Sequence, residues 1–164
     1  MTEQPPTATL VIRIATAEDI EQIEKLDSFS ASPTRNIDQA MEQYFGSVDP
    51  STHTRTLIFL AEIAGVAVAK AELMLPLPEL PNRTGYVKRV VVHPEQRGKG
   101  LARHLLQHII TFAHVEYQLT AIDLHVWEQN KPAIHLYETL GFQLQHRELY
   151  YRLSLLQQAS SSQS

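Results

Sequence analysis

Two apolar patterns share this chain. Strand-like apolar runs are Leu10-Val11-Ile12-Arg13-Ile14, then Leu57 to Ile63 and Val66 to Leu75 as a hairpin around Ala64-Gly65, then Gly85 to Val92. A helical period begins after Thr16, where Ile20, Ile23 and Leu26 recur on one face and Thr16 with Asp19 forms a variant capping box. Ile37, Met41, Tyr44 and Phe45 predict a second helix stopped by Gly46. Leu101, Leu105, Ile109 and Phe112 predict the inward stripe of a long helix over 98–114. A strand-like run from Ala121 to Trp127 follows, then a helix opened by Asn130 and closed at Gly141. An alternating stretch from Phe142 to Leu155 is expected to close the sheet. The predicted order is strand, helix, helix, three strands, helix, strand, helix, strand. Pro76 to Arg83, with three prolines, is expected to be a loop on the substrate side.

Composition narrows the class. A chain of 164 residues can bury a core without metal or disulfide support, and no internal repeat divides it. The polar segment 1–9 is expected to be flexible and the Gln/Ser-rich segment 157–164 to be a disordered tail, leaving 10–156 as one domain. There is no cysteine, which removes disulfides and covalent cysteine chemistry and fits a cytoplasmic protein. No apolar run reaches membrane-span length, so no membrane association is expected. The net charge of −4 disfavours a broad nucleic-acid-binding face and suits a cationic amine.

The candidate chemistry begins at residue 90. Val90-Val91-Val92 is stopped by His93-Pro94, and Gln96-Arg97-Gly98-Lys99-Gly100 opens directly into Leu101-Ala102-Arg103. Gly98 and Gly100 let the backbone turn sharply and approach a ligand, and the free N–H groups of the helix start attract an anion such as phosphate. A P-loop is excluded, because no Ser or Thr follows Gly98-Lys99-Gly100. A dinucleotide loop fits poorly, since its third small position is Arg103. The segment instead resembles the Q/R-x-x-G-x-G/A turn of the GCN5-related N-acetyltransferase (GNAT) family. A second block carries the same resemblance: Asn130, Ala133, Tyr137, Gly141 and Phe142 match N-x-x-A-x-x-x-Y-x-x-x-G-F.

The resemblance implies a single α/β (mixed α+β) domain. Its central sheet would be mixed, mostly antiparallel and twisted, with roughly six to seven strands flanked by about four helices. It implies acetyl-CoA as cosubstrate and no metal. Arg97, Gly98, Lys99, Gly100, Leu101 and Ala102 would hold the pyrophosphate. The main chain of Val90, Val91 and Val92 would receive the pantetheine arm and the developing oxyanion, on a strand expected to splay from the next. Asn130, Ala133 and Tyr137 would complete the cofactor contacts.

Direct acetyl transfer to an amine needs a base, an oxyanion donor and an acid for the thiolate. A lysine-like amine with pKa about 10.4 is only about one part in two thousand neutral at pH 7, equivalent to roughly 4.6 kcal/mol. Tyr137 is the candidate acid; as part of the apolar stripe of Ile134 and Leu140 it also reads as a core tyrosine. His125 is a candidate base, because imidazoles titrate near neutral pH. Ribosomal-protein N-terminal acetyltransferases of the family tend to have Glu there, so His125 departs from that subgroup; a hydrogen-bonded sheet histidine is the alternative reading. Glu72 and Glu128 are the other candidate bases. His104 and His108 have the i, i+4 spacing of a metal pair but no third ligand at a suitable distance, and read as a solvated helix flank. Lys88 or Arg89, whichever points outward, is placed to meet the 3′-phosphate or water.

The leading expectation is an acetyl-CoA-dependent N-acetyltransferase acting on the primary amine of a small molecule or amino-acid-like acceptor. Protein N-terminal or lysine acetylation is the alternative within the same chemistry. A non-catalytic acyl-CoA-binding or sensing module is the alternative of another class. The sequence names neither the acceptor nor the acyl length. Family members are often homodimers, but no self-complementary patch identifies a dimer in the sequence alone.

Overall fold

The computed structural model describes residues 8–37 and 41–156. The terminal segments 1–7 and 157–164 and the Met41 side chain, for all of which expectations were stated above, lie outside the described residues. Strand β1 (Leu10–Ile14) leads through a 3-10 turn (Ala17–Asp19) into helix α1 (Ile20–Asp27). The Thr16 amide donates to Asp19 Oδ2 at 2.8 Å, closing the predicted capping interaction. Short helix α2 (Met41–Tyr44) and strand β2 (Val48–Asp49) precede the long hairpin β3 (Thr54–Ile63) and β4 (Val66–Pro76). Ala64 (φ 52) and Gly65 (φ 77) give that hairpin the two positive φ angles of a type I′ turn.

Strand β5 (Thr84–Val92), helix α3 (Leu101–Tyr117), strand β6 (Ala121–Asp123) and helix α4 (Lys131–Thr139) follow. The six-stranded sheet has the order β1-β3-β4-β5-β6, with β2 on β3. All pairings are antiparallel except β5 with β6. The helix order and mixed sheet agree with the expectation from sequence. Among the described residues no helix is long and apolar enough to cross a membrane.

The β3–β4 hairpin is buried on both faces, as its nearly continuous apolar run requires. Phe59, Ala61, Ala71, Leu73 and Leu75 meet Leu105, Leu106 and Ile109 of α3, while Ile58 and Leu60 meet Ile23 and Leu26 of α1. The sheet is therefore a middle layer.

Two expectations are corrected. The run 121–127 pairs only over Ala121–Asp123; beyond it, 124–127 leaves the sheet. The expected closing strand from Phe142 to Leu155 does not form, and residues 143–154 have no regular structure. Leu149, Tyr151, Leu153 and Leu155 have the alternation of a strand, but none of the described residues covers them. Without a surface to bury against, alternation does not repay the entropy of ordering.

Candidate active site

The glycine-rich turn is built as its sequence demands. Gly98 (φ 79) and Gly100 (φ 74) both adopt left-handed backbone, and Gly100 immediately precedes α3. A Cβ at Gly98 would meet nothing within 4 Å, and one at Gly100 only the His104 ring at 4.0 Å. The backbone of the turn is thus open to a ligand, with the first N–H groups of a 17-residue helix behind it. Lys99 is exposed and its ammonium donates to Gln96 Oε1 at 3.0 Å. Arg97 donates from Nε to the Val92 carbonyl at 3.3 Å, tying the turn to the end of β5.

Strand β5 is paired on one side and open on the other. Its parallel register with β6 is Thr84 to Ala121, Gly85 to Ile122 and Tyr86 to Asp123, and there it stops. From Val87 to Val92 no β6 partner remains, so the two segments part in a V with its apex at Tyr86 and Asp123. The turn at Gly98–Gly100 lies beyond the open end. From Tyr86 to Val92 the strand runs about 20 Å, a span that an extended pantetheine arm can bridge.

The other edge of β5 carries a bulge. Its pairing with β4 shifts between Lys70 and Glu72, where Arg89 takes φ 51. In a regular strand Val87 and Val91 would share a face. Here Val87 packs with the α3 layer and Val91 with the α1 layer, so the bulge has reversed the strand's facing. It re-aims the main chain of 90–92, the segment expected to receive the thioester. The Arg89 side chain donates to the Pro33 carbonyl at 3.0 Å, and Lys88 stands half-buried opposite Glu72, where burial lowers its ammonium pKa.

Helix α4 explains much of the second motif. Asn130 caps it, its Oδ1 accepting from the Ala133 amide at 3.3 Å. At the far end the Gly141 amide donates to Glu138 and the Phe142 amide to the Tyr137 carbonyl, with Gly141 at φ 101. This is a Schellman closure, and the Tyr137 and Phe142 rings make its apolar contact at 5.9 Å. Tyr137 also packs against the α3-side core. Burial holds its phenol above the ordinary value near 10, so it keeps its proton at neutral pH. Arg103 of α3 donates to Thr139 Oγ1, fastening α4 beside the helix that starts at the turn.

At the apex, Tyr86 Oη lies 2.6 Å from His125 Nδ1. His125 Nε2 is 3.6 Å from Glu148 Oε1, and His146 Nε2 is 3.0 Å from the same oxygen. The ligand atoms of these three residues lie within 4.8 Å of one another, a closeness that imidazole–carboxylate pairing accounts for. All three are exposed. Burial raises the Tyr86 phenol pKa, which keeps it a hydrogen-bonding neutral group. An open cavity of about 400 Å³ adjoins the apex, lined by Thr54, Met74, Asn82, Thr84, Tyr86 and Asp123.

The remaining candidates lie elsewhere. Glu72 is completely buried in the sheet, held by Arg35 through two bonds and by Lys70 Nζ at 2.8 Å. Burial pushes its carboxyl up, but the Arg35 hydrogen bonds and the Lys70 charge outweigh this and hold it below the ordinary range. Asp27 completes the network, with Lys70 Nζ 2.7 Å from its Oδ1. Glu128 is exposed, 3.8 Å from Arg147 Nε. His104 and His108 are exposed on α3, and no third carboxylate or imidazole joins them among the described residues.

Tyr86, Asp123 and Glu148 were not singled out from the sequence. Their importance rests on the β5–β6 register and on the placement of 146–148, neither of which leaves a local signal.

Known proteins with the same organisation match the chain. A family model described as "Acetyltransferase (GNAT) family" matches residues 17–142. The spermidine N(1)-acetyltransferase of Vibrio cholerae is 39% identical over 54 residues, covering 33% of this chain and 31% of that protein. N-alpha-acetyltransferase 30 of Xenopus laevis is 33% identical over 98 residues, covering 60% of this chain and 36% of that protein. The chain thus spans about a third of the length of these curated relatives. The ribosomal-protein-S18-alanine N-acetyltransferase from Escherichia coli shares the fold. Its TM-score is 0.69 at 20% identity, covering 89% of this chain and 86% of that one.

Proposed function

The chain belongs to the acetyltransferase (GNAT) family, and on that premise we propose that it transfers the acetyl group of acetyl-CoA directly to the primary amine of a small or amino-acid-like acceptor. The observation that carries this reading is the V between β5 and the segment after β6, with an open phosphate-type turn beyond one end and a Tyr–His pair at its apex.

In this reading the pyrophosphate rests on the N–H groups around Gly98–Gly100, flanked by Arg97 and Lys99. The pantetheine arm lies along Val92, Val91 and Val90 inside the V, and Asn130 and Ala133 bound it from α4. The thioester carbonyl meets main-chain N–H groups beside the Arg89 bulge, which are fixed before the reaction and therefore stabilise the oxyanion without reorganisation. The amine nitrogen attacks the carbonyl carbon, the C–S bond breaks, and Tyr137 donates its proton to the departing thiolate.

His125 takes the amine proton. With Nδ1–H donated to Tyr86 Oη, Nε2 keeps a lone pair for the proton, and Glu148 stabilises the imidazolium that results. Glu72 is a poor base by contrast, since its charge is already neutralised by Arg35 and Lys70. We assign it to holding the sheet. The cavity beside Tyr86 receives the acceptor, and the Asp123 carboxylate on its wall attracts an ammonium.

A second reading, acetylation of protein N-termini, is favoured by the longer match to the Xenopus protein, which covers 60% of this chain. An α-amine with pKa about 7.7–8.0 also needs far less help from a base. A thiol-release assay with acetyl-CoA separates the readings, run against polyamines, amino acids, aminoglycosides and peptides with free N-termini. Turnover on a small amine supports the first and turnover confined to peptides the second. Acetyl-CoA binding with no turnover on any acceptor would indicate a sensing module. In the active case, His125→Ala is expected to depress the limb of the rate profile that rises toward alkaline pH. An unaltered profile would remove it as the base.

A further inference from the structure

The apex of the V holds a side-chain cluster whose chemistry proton transfer alone does not exhaust. His125 Nε2 and His146 Nε2 both face Glu148 Oε1, at 3.6 Å and 3.0 Å, and the three ligand atoms lie within 4.8 Å of one another. No other group of three imidazole or carboxylate ligands is as close among the described residues. His146 can satisfy the carboxylate by donating from Nε2. His125 cannot do the same. With Nδ1–H donated to Tyr86 Oη at 2.6 Å, its Nε2 carries only a lone pair, turned toward a carboxylate oxygen. A lone pair facing an anion calls for a cation between them.

We propose that His125, His146 and Glu148 bind a divalent ion of the zinc class, and that the filled site blocks transfer. Two imidazoles and a carboxylate suit zinc and its transition-metal neighbours, whereas magnesium and calcium take oxygen ligands. Ligands about 2.0–2.1 Å from a tetrahedral zinc stand roughly 3.3 Å apart, between the two separations to Glu148. The two imidazoles have further to close, and all three side chains are exposed enough to turn. Arg147, between two of the ligands in sequence, points instead to Glu128 at 3.8 Å, so its charge is spent elsewhere.

Tyr86 supplies what an imidazole ligand needs behind it: a partner for the other ring nitrogen, which fixes the tautomer and aims Nε2. Burial, and after it the Glu148 and Asp123 charges, raises the Tyr86 phenol pKa, and those two carboxylates make the apex attractive to a cation. The effect on the reaction rests on the function proposed above. The ion takes the lone pair with which His125 accepts the amine proton, so the chain is active only while the site is empty of metal.

Calorimetry of zinc against the full chain, without acetyl-CoA or acceptor, tests the site apart from catalysis. One ion per chain is expected, with Kd on the order of 1 μM, and magnesium should give no binding heat. His146→Ala should weaken zinc at least ~100-fold, and Tyr86→Phe, which removes only the ring's partner, about 10-fold. The double variant His104→Ala with His108→Ala removes the other zinc-spaced pair, on α3, and should bind as the native chain does. No zinc binding, binding kept in His146→Ala, or binding lost in the α3 double variant would each overturn the site. Turnover is then followed by the acetylated product, because the released thiol itself binds zinc. Zinc should inhibit the native chain over its binding range and His146→Ala only at ~100-fold higher concentration, with equal metal-free rates. Zinc bound to the native chain with turnover unchanged would overturn the inhibitory role and remove His125 as the base, an outcome distinct from loss of the site.

Discussion

The β3–β4 hairpin is written as a nearly continuous apolar run and the stretch 149–155 as an apolar alternation, and the two end in opposite environments. In the hairpin Phe59, Ala61, Leu73 and Leu75 are fully buried. In the later stretch Leu149, Tyr151, Leu153 and Leu155 are 71–84% exposed. The difference lies in what covers each row. Helices α1 and α3 lie on the two faces of the hairpin, and burying each large side chain there contributes about 1.5–3 kcal/mol. None of the described residues covers the second row. Alternation thus specifies which side of a strand is apolar, and a separate surface decides whether that side becomes core. The candidate site lies at the border between the two regimes, where β5 has a partner on one side only.

The largest effects should fall in the covered region. Phe59→Ala is expected to cost about 3–5 kcal/mol, read from the denaturant midpoint at constant slope. Glu72→Ala should cost up to a comparable ~3–5 kcal/mol, because it leaves the two buried cations Arg35 and Lys70 sharing Asp27 as their carboxylate. Its pH dependence has a definite sign. Glu72 is held below its ordinary value of 4.5, so its contribution is complete above that pH and is lost as pH falls through the lower folded value. Asp19, lowered chiefly by its bonds to Arg13, acts in the same direction. The native chain should therefore lose melting temperature more steeply below about pH 4.5 than Glu72→Ala does.

At the border the effects move from stability to ligand binding and rate. Gly100→Asp forces a strained backbone and sets a carboxylate where we propose the pyrophosphate rests. Acetyl-CoA affinity should fall at least ~100-fold, about 2.8 kcal/mol, by calorimetry, with the far-UV spectrum unchanged. Tyr137→Phe keeps the Schellman ring contact and removes only the hydroxyl. Turnover should fall on the order of 10²-fold with acetyl-CoA affinity retained. The smallest effect belongs to the uncovered row. Leu153→Ala should change the unfolding of the body by no more than about 0.5 kcal/mol, read from the denaturant midpoint.

Much of the covered region was legible because its signals are local. The type I′ turn at Ala64-Gly65, the α3 stripe of Leu101, Leu105 and Ile109, and the Asn130 cap are each set by residues a few positions apart. The Gly141-Phe142 ending was equally readable, and its physics is now plain: glycine for φ 101 and Phe142 for the ring of Tyr137. What was not legible depends on distant pairing. The V follows from a parallel register between Tyr86 and Asp123, 37 positions apart. The bulge at Arg89 reverses Val91 without any glycine or proline to mark it. Glu72 of β4 reads as a free carboxylate until Arg35, from the loop after α1, is seen to hold it. The last strand was expected from its own alternation, which does not say that none of the described residues covers it.

The central claim is that acetyl-CoA occupies the V, from the turn at Gly98–Gly100 toward its apex. Amide hydrogen exchange, followed with and without acetyl-CoA, tests it most directly. New protection should concentrate in 87–92 and 97–103, with Asn130 to Tyr137 following and with β1 and the β3–β4 hairpin unchanged. Protection confined to other segments, with 87–92 and 97–103 exchanging as before, would contradict the account.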